Sequence, residues 1–235
     1  MSTDAIGHDR IAGNSSINSG ILSCFRFITP DDEQKFRRKF REHYRDRAQV
    51  LHTYRELVVG GYLGSHGFSV KYEPVVEGQT PDWAILDENL NTYRGIVEVI
   101  NFHADRSTET FIDKEIESRG AATTFLPDND NRLYDRLQQK TACYKPLIEK
   151  QRIPYIIALF GEFYADVELE EVTRCTSECE DALFNRYPML TGVLFFVEKS
   201  GVYSFSYLAN GNASYRLHVS NGVFPPGENR ATGTL

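Results

Sequence analysis

The run Ile96-Val97-Glu98-Val99-Ile100 sets a single carboxylate in the middle of a segment that is apolar on both sides. Side chains alternate along a strand, so an apolar run of this kind fits a central strand covered on both faces. A carboxylate buried there costs desolvation energy unless a cation or a metal meets it. The chain therefore has to build layers around this strand and bring positive charge to Glu98. Asp82, beside Pro81 at the start of the preceding strand-like run, is its natural neighbour. Alternation puts Asp82, Ala84 and Leu86 on one face of that run, and Ile96, Glu98, Ile100 and Phe102 on one face of the next. Two carboxylates at one level repel each other. A divalent cation between them removes the repulsion, and hard oxygen donors with room for water favour Mg2+ or Mn2+.

The elements around this pair follow from periodicity and turn chemistry. Thr29-Pro30-Asp31-Asp32-Glu33 is a helix start, with a capping hydroxyl, proline at the first helical position and acids at the positive end of the dipole. A basic helix to about Arg47 is expected from there. Gln49 to Ser65 carries Val50, Leu51, Tyr54, Leu57, Val58, Gly61 and Tyr62 at helical spacing. Strand-like runs follow at Phe68 to Glu73, Pro81 to Leu86 and Tyr93 to Phe102, with turn signals at Glu77-Gly78 and Asp87-Glu88-Asn89. Their short connections predict an antiparallel meander. Beyond a polar stretch, a helix is expected from about Asn131 to Lys150, a strand over Pro154 to Phe160, and a helical region from Glu168 to Asn185. A hairpin closes the pattern, Gly192 to Val197 returning as Val202 to Tyr207 around Ser200-Gly201. This order predicts an α/β fold, a mixed sheet sandwiched by helices.

At 235 residues and 41% hydrophobic, the chain can bury a substantial core. Residues 1–20 and 221–235 are rich in Ser, Asn, Gly and Pro and read as tails around a single domain spanning 21–220. No run reaches the roughly 20 apolar residues that span a bilayer. The start Met1-Ser-Thr-Asp-Ala lacks the build of a signal peptide, so reduced cysteines and a cytoplasmic location are expected. Net charge is -7, yet the segment Lys35 to Arg55 is strongly basic, holding Lys35, Arg37, Arg38, Lys39, Arg41, Arg45, Arg47 and Arg55 against Glu42 and Asp46. Such a face can track a phosphate backbone, although from charge alone a solvated helix face is the simpler reading.

Glu56-Leu57, Tyr72-Glu73-Pro74, Thr80-Pro81-Asp82-Trp83, Gly95-Ile96-Val97-Glu98-Val99, and Lys140 ahead of Pro154-Tyr155-Ile156-Ile157-Ala158 together resemble the PD-(D/E)xK nuclease superfamily. The resemblance spans roughly residues 49–160 and implies a restriction-endonuclease-like core ordered α-β-β-β-α-β, here followed by a C-terminal helix and hairpin. It implies that Pro81-Asp82 is the PD element, Glu98 the second acid, and Glu56 the acid on the first core helix. It also implies a divalent-metal-dependent endonuclease, a phosphodiester hydrolase acting on DNA more readily than RNA, with Asp82, Glu98 and Glu56 as metal residues and Mg2+ or Mn2+ as cofactor. Homodimerisation stays open.

The pattern departs from the family at Ile100, where a lysine is expected. Some members supply that lysine from the following helix. In this chain the stripe Leu133, Leu137, Tyr144, Leu147 and Ile148 includes position 140, so Lys140 faces the sheet and can reach the carboxylates. Glu56, Asp82, Glu98 and Lys140 are thus the candidate catalytic set. Lys35, Arg37, Arg38, Lys39, Arg41 and Arg45 are the candidate nucleic-acid contacts, because the basic segment leads straight into the Glu56 helix. The alternative is a nuclease-like binding or assembly module in which Ile100 marks a decayed site. The six histidines form no paired helical set, and surface or satisfied roles are expected for them, with His103 the one closest to the site.

Overall fold

The computed structural model describes residues 15–87, 92–102, 130–161, 167–178, 181–199, 201–217 and 230–234. Seven strands form one sheet in sequential order. They are β1 Val70–Tyr72, β2 Trp83–Leu86, β3 Tyr93–Phe102, β4 Tyr155–Gly161, β5 Leu190–Lys199, β6 Val202–Ala209 and β7 Arg230–Thr234. β1, β2 and β3 run antiparallel as a meander. β3, β4 and β5 are parallel, and β6 and β7 close the far side as antiparallel strands. The helices are α1 Ser15–Phe25, α2 Pro30–Glu42, α3 Arg47–Ser65, α4 Asp130–Gln151, α5 Leu169–Thr173 and α6 Leu183–Arg186, with a wider π turn over Arg174–Glu178 between the last two.

Each face of the sheet has its own core. On one, Val97, Val99, Ile156, Ala158, Phe160 and Phe196 meet side chains of α1, α2 and α3. On the other, Ile96, Ile100, Ile157, Leu159, Val193 and Phe195 meet α4, α5 and α6. Alternation in β3 assigns Glu98 to the α4 face, where its side chain must find a partner. The central helix α3 is buried without a break from Thr53 to Leu63, because the sheet lies on one side of it and α1 and α2 on the other. Its glycines permit the close fit. A Cβ at Gly60 would lie 2.0 Å from the Trp83 ring, and one at Gly61 2.8 Å from Cys24 Cβ.

Thr29 caps α2 through the Asp32 amide at 3.2 Å with Pro30 at the first position, as its residues predict. The helix ends at Glu42 rather than near Arg47, since Asp46 starts α3 by accepting from the Gln49 amide at 3.1 Å. The boundaries expected for the tails also differ. α1 begins at Ser15 within the span read as an N-terminal tail. The residues that bury it, Ile21, Cys24 and Phe25, lie past that span, and they make the helix by packing rather than by periodicity. β7 lies within 221–235 and joins the sheet through main-chain pairing with β6, which a Gly- and Thr-rich composition does not announce. Residues 1–14, the polar stretch with His103, and 218–229 lie outside the described residues. Among the described residues no helix is long and apolar enough to cross a membrane.

Candidate functional site

The register of β2 on β3 decides the geometry. Trp83 pairs with Val97 and Ala84 with Ile96, so Asp82 stands across from Glu98, one step before β2 begins. Pro81 cannot donate to the ladder, and the Asp82 side chain takes over where the strand has not yet formed. Its Oδ2 accepts from the Val99 amide at 2.7 Å, while its own amide points to Glu98 Oε2 at 3.4 Å. On the β1 side, the Glu73 amide donates to the Asp82 carbonyl at 2.9 Å. These contacts turn both carboxylates to the same side of the sheet. Glu98 is only 4% exposed and Asp82 half-buried.

Lys140 supplies the counter-charge. Its ammonium donates to Glu98 Oε1, although Lys140 comes from α4, 42 residues away in sequence. Leu133, Leu137, Tyr144, Leu147 and Ile148 are all buried beneath α4, and they fix the rotation of the helix that turns Lys140 to the sheet. Tyr144 also crowds the acids: its hydroxyl donates to the Thr80 carbonyl at 3.4 Å, and burial followed by the Glu98 charge pushes the phenol well above its usual range. Burial first, then Glu98, then Glu56, hold the Asp82 carboxyl well above the ordinary aspartate range against the opposing pull of the Val99 amide and Lys140.

That elevation has a testable consequence. An aspartate whose pKa rises on folding stabilises the protein below its unfolded pKa, and the contribution is lost as pH climbs through the folded value. In EDTA, Asp82→Asn is therefore expected to gain thermal stability over the wild type as pH increases from about 4 toward 8, the window opening at the unfolded aspartate value of about 3.9. Equal melting temperatures for the two proteins across that range would refute the assignment.

Glu56 occupies a separate, more enclosed place. It is 2% exposed on α3, beneath the opposite face of the sheet from Glu98. The Tyr72 hydroxyl donates to Glu56 Oε2, Lys39 donates to the same oxygen at 3.2 Å, and His52 Nε2 lies 3.0 Å from Oε1. Burial pushes this carboxyl up, but the His52 hydrogen bond, the Lys39 charge and the Tyr72 hydroxyl outweigh it and leave it below its ordinary value. With both oxygens engaged, Glu56 is a structural hub that acts on Asp82 through its charge. Among the described residues no three His, Cys, Asp or Glu side chains converge on one point as a metal set.

The candidate nucleic-acid cations of α2 are largely engaged with acids. Lys35 lies 3.2 Å from Asp32, Arg37 bonds Glu33, Arg38 lies 3.7 Å from Glu42, and Lys39 bridges Glu56 at 3.2 Å and Glu73 at 2.8 Å. Arg41 donates to the Arg37 carbonyl at 3.1 Å, and Arg45 sits 5.1 Å over the Tyr44 ring. Arg47 is exposed in the first turn of α3, whereas Arg55 is buried with its guanidinium 3.8 Å over the Phe160 ring.

A cleft of about 270 Å³ opens where the N-terminal end of α3 and the middle of α4 approach the end of β3. Asp82, Glu98 and Lys140 line it, together with His52, Asn101 and Arg136. Sequence reasoning missed the last three. Asn101 Nδ2 lies 2.5 Å from His52 Nδ1, so His52 spans from Asn101 on β3 to Glu56 on its own helix. The spacing of His52 to Glu56, and of Arg136 to Lys140, is one helical turn in each case, and that spacing was the available signal.

As a place for a hard divalent ion, the site offers two carboxylates at one level and an open side for water, which is the donor set Mg2+ accepts. Among the described residues Asp82 Oδ1 accepts no hydrogen bond, and Glu98 Oε2 takes the long contact from the Asp82 amide, with the Tyr144 hydroxyl bonding the same carboxylate. Asp82 and Glu98 are the residues that would hold such an ion. No protein-family model matches the chain, and comparison with curated proteins and with solved structures found no similar one.

Proposed function

We propose that this protein is a divalent-metal-dependent nuclease of the PD-(D/E)xK type, hydrolysing phosphodiester bonds of nucleic acid, DNA more readily than RNA. The observation that carries the reading is the meeting of Asp82, Glu98 and Lys140 at one cleft from separate elements of the fold. The run α3, β1, β2, β3, α4, β4 follows the order of a restriction-endonuclease-like core, with the acid pair at its second and third strands and Lys140 on the following helix, from which some members supply the lysine.

Asp82 and Glu98 would hold Mg2+ or Mn2+. The bound ion supplies polarisation of a phosphate oxygen and a lowered pKa for water. Lys140 orients the attacking water and offsets the charge that builds on the phosphate, acting in a partly enclosed site where such electrostatic help is strongest. Glu98 keeps that ammonium aimed into the cleft. Glu56, locked by Lys39, Tyr72 and His52, contributes negative potential without serving as a ligand.

The test is cleavage of single- and double-stranded DNA and RNA with Mg2+, Mn2+ or EDTA. Wild type is expected to cut DNA only with the divalent ion, and Glu98→Gln to lose at least about a hundredfold of the rate. A wild type inert on every substrate, or a Glu98→Gln variant as fast as the wild type, would defeat the reading.

A second reading keeps the fold and drops the chemistry. Ile100 stands where the strand lysine is expected, and the Lys140 pair already neutralises Glu98 without an ion. A protein of this kind binds nucleic acid or protein but shows no Mn2+ heat in calorimetry.

A further inference from the structure

We infer that Arg136 is the phosphate-binding residue of the cleft, and that nucleic acid approaches between α3 and α4 rather than along the basic helix α2. The inference rests on the nuclease reading above. On α2, Lys35, Arg37, Arg38 and Lys39 each have a carboxylate of Asp32, Glu33, Glu42, Glu56 or Glu73 within 4 Å, so their charge is locally offset. Lys35 and Lys39, paired with the buried carboxylates of Asp32 and Glu56, would leave those charges without a partner if they turned to a phosphate.

The α4 wall of the cleft is different. Arg136 and Lys140 stand one turn apart, and both line the cleft that holds Asp82 and Glu98. Lys140 is committed to Glu98. Arg136 is exposed and has no ion-pair partner among the described residues. Its planar fork of donors matches two phosphate oxygens at once, which an ammonium does not. His52, which lines the same cleft, is held by Asn101 and Glu56.

Charge within the cleft explains when this residue would act. Without an ion, the acids Asp82 and Glu98 stand among the cations Lys140 and Arg136 and temper the pull of the cleft on an anion. A divalent ion on the acid pair makes the same cleft strongly positive, and the phosphate then meets both the ion and the Arg136 guanidinium. Nucleic-acid affinity thus rises with the ion, through a contact that Arg136 makes directly.

Fluorescence anisotropy with a labelled DNA oligonucleotide, in Ca2+ and in EDTA, tests this on the full chain without relying on turnover. Wild type is expected to bind more tightly in Ca2+. Arg136→Ala should weaken binding in Ca2+ about tenfold and lower the slope of log affinity against log salt by about one, since one phosphate contact is gone. Arg136→Lys should restore only part of the affinity. Arg38→Ala and Arg41→Ala should each change it less than about twofold, since neither residue lines the cleft. Circular dichroism checks that the exposed substitutions leave the fold intact. If wild type binds and Arg136→Ala binds equally well with the same salt slope, this inference is overturned while the nuclease reading stands. If wild type binds no DNA or RNA in either condition, the nuclease reading itself falls, and the role of Arg136 with it.

Discussion

Lys140→Ala is expected to slow phosphodiester cleavage by about 10²- to 10³-fold, the loss typical of removing one charged or hydrogen-bonding group that acts on the transition state. Metal binding should move the other way. The Lys140 ammonium occupies Glu98 Oε1 in the metal-free protein, so its removal leaves both oxygens of that carboxylate available and Mn2+ affinity measured by calorimetry should be kept or raised. Stability should fall only modestly, by about 1–2 kcal/mol, because the Lys140 side chain is 32% exposed and water replaces part of the interaction. Lys140→Arg restores the ion pair, and with it the stability, but places a planar fork where a compact ammonium stood, so the rate should recover little. This separation of rate, affinity and stability distinguishes a lysine that works on the substrate from one that only balances Glu98. Single-turnover kinetics showing Lys140→Ala as fast as the wild type would remove Lys140 from the mechanism.

Trp83→Ala is expected to cost about 3–5 kcal/mol in urea unfolding, the range for truncating a fully buried aromatic. The ring lies 5.0 Å from the Tyr72 ring and 5.8 Å from Phe36, and its Nε1 donates to the Glu56 carbonyl at 2.8 Å. It also fills the space that Gly60 leaves open on α3. The consequence reaches the site, because Trp83 adjoins Asp82 and begins the ladder whose register sets Asp82 across from Glu98. Loss of that anchor should therefore weaken Mn2+ binding as well, by about 10- to 100-fold, as removal of a ligand's supporting contact typically does. Trp83→Phe keeps most of the packing and loses the hydrogen bond, so about 1–2 kcal/mol is expected. A Trp83→Ala protein within 1 kcal/mol of the wild type would show that α3 and β2 are held together by other means.

The two carboxylates were legible because strand alternation is strict. Once Pro81 to Leu86 and Tyr93 to Phe102 read as neighbouring strands, Asp82 and Glu98 had to share a face, and the register Trp83 to Val97 sets them opposite each other. Lys140 was legible for the same kind of reason, since its position falls within the apolar stripe of a long helix. Glu56 was expected as a catalytic and metal residue on the first core helix, and its burial and its engagement with Lys39, Tyr72 and His52 were not legible. Those partners come from α2, β1 and one turn back on α3, and no local pattern announces that they meet. The basic segment misled for the opposite reason. Its cations are plain in the sequence, while Glu56 and Glu73, which take up Lys39, lie on other elements.

What the sequence determined by itself is therefore the periodic part: the order of helices and strands, the face each residue takes, and the need of Glu98 for a counter-charge. These follow from repeats of 2 and 3.6 residues that each segment carries alone. Tertiary structure alone decided the rest. It drew α1 and β7 into the fold through packing and main-chain pairing, closed Glu56 away from the cleft, and set His52, Asn101 and Arg136 around the acid pair. Distances between residues on separate elements depend on how whole helices seat on the sheet, and that seating is settled by the summed packing of both cores rather than by any one segment.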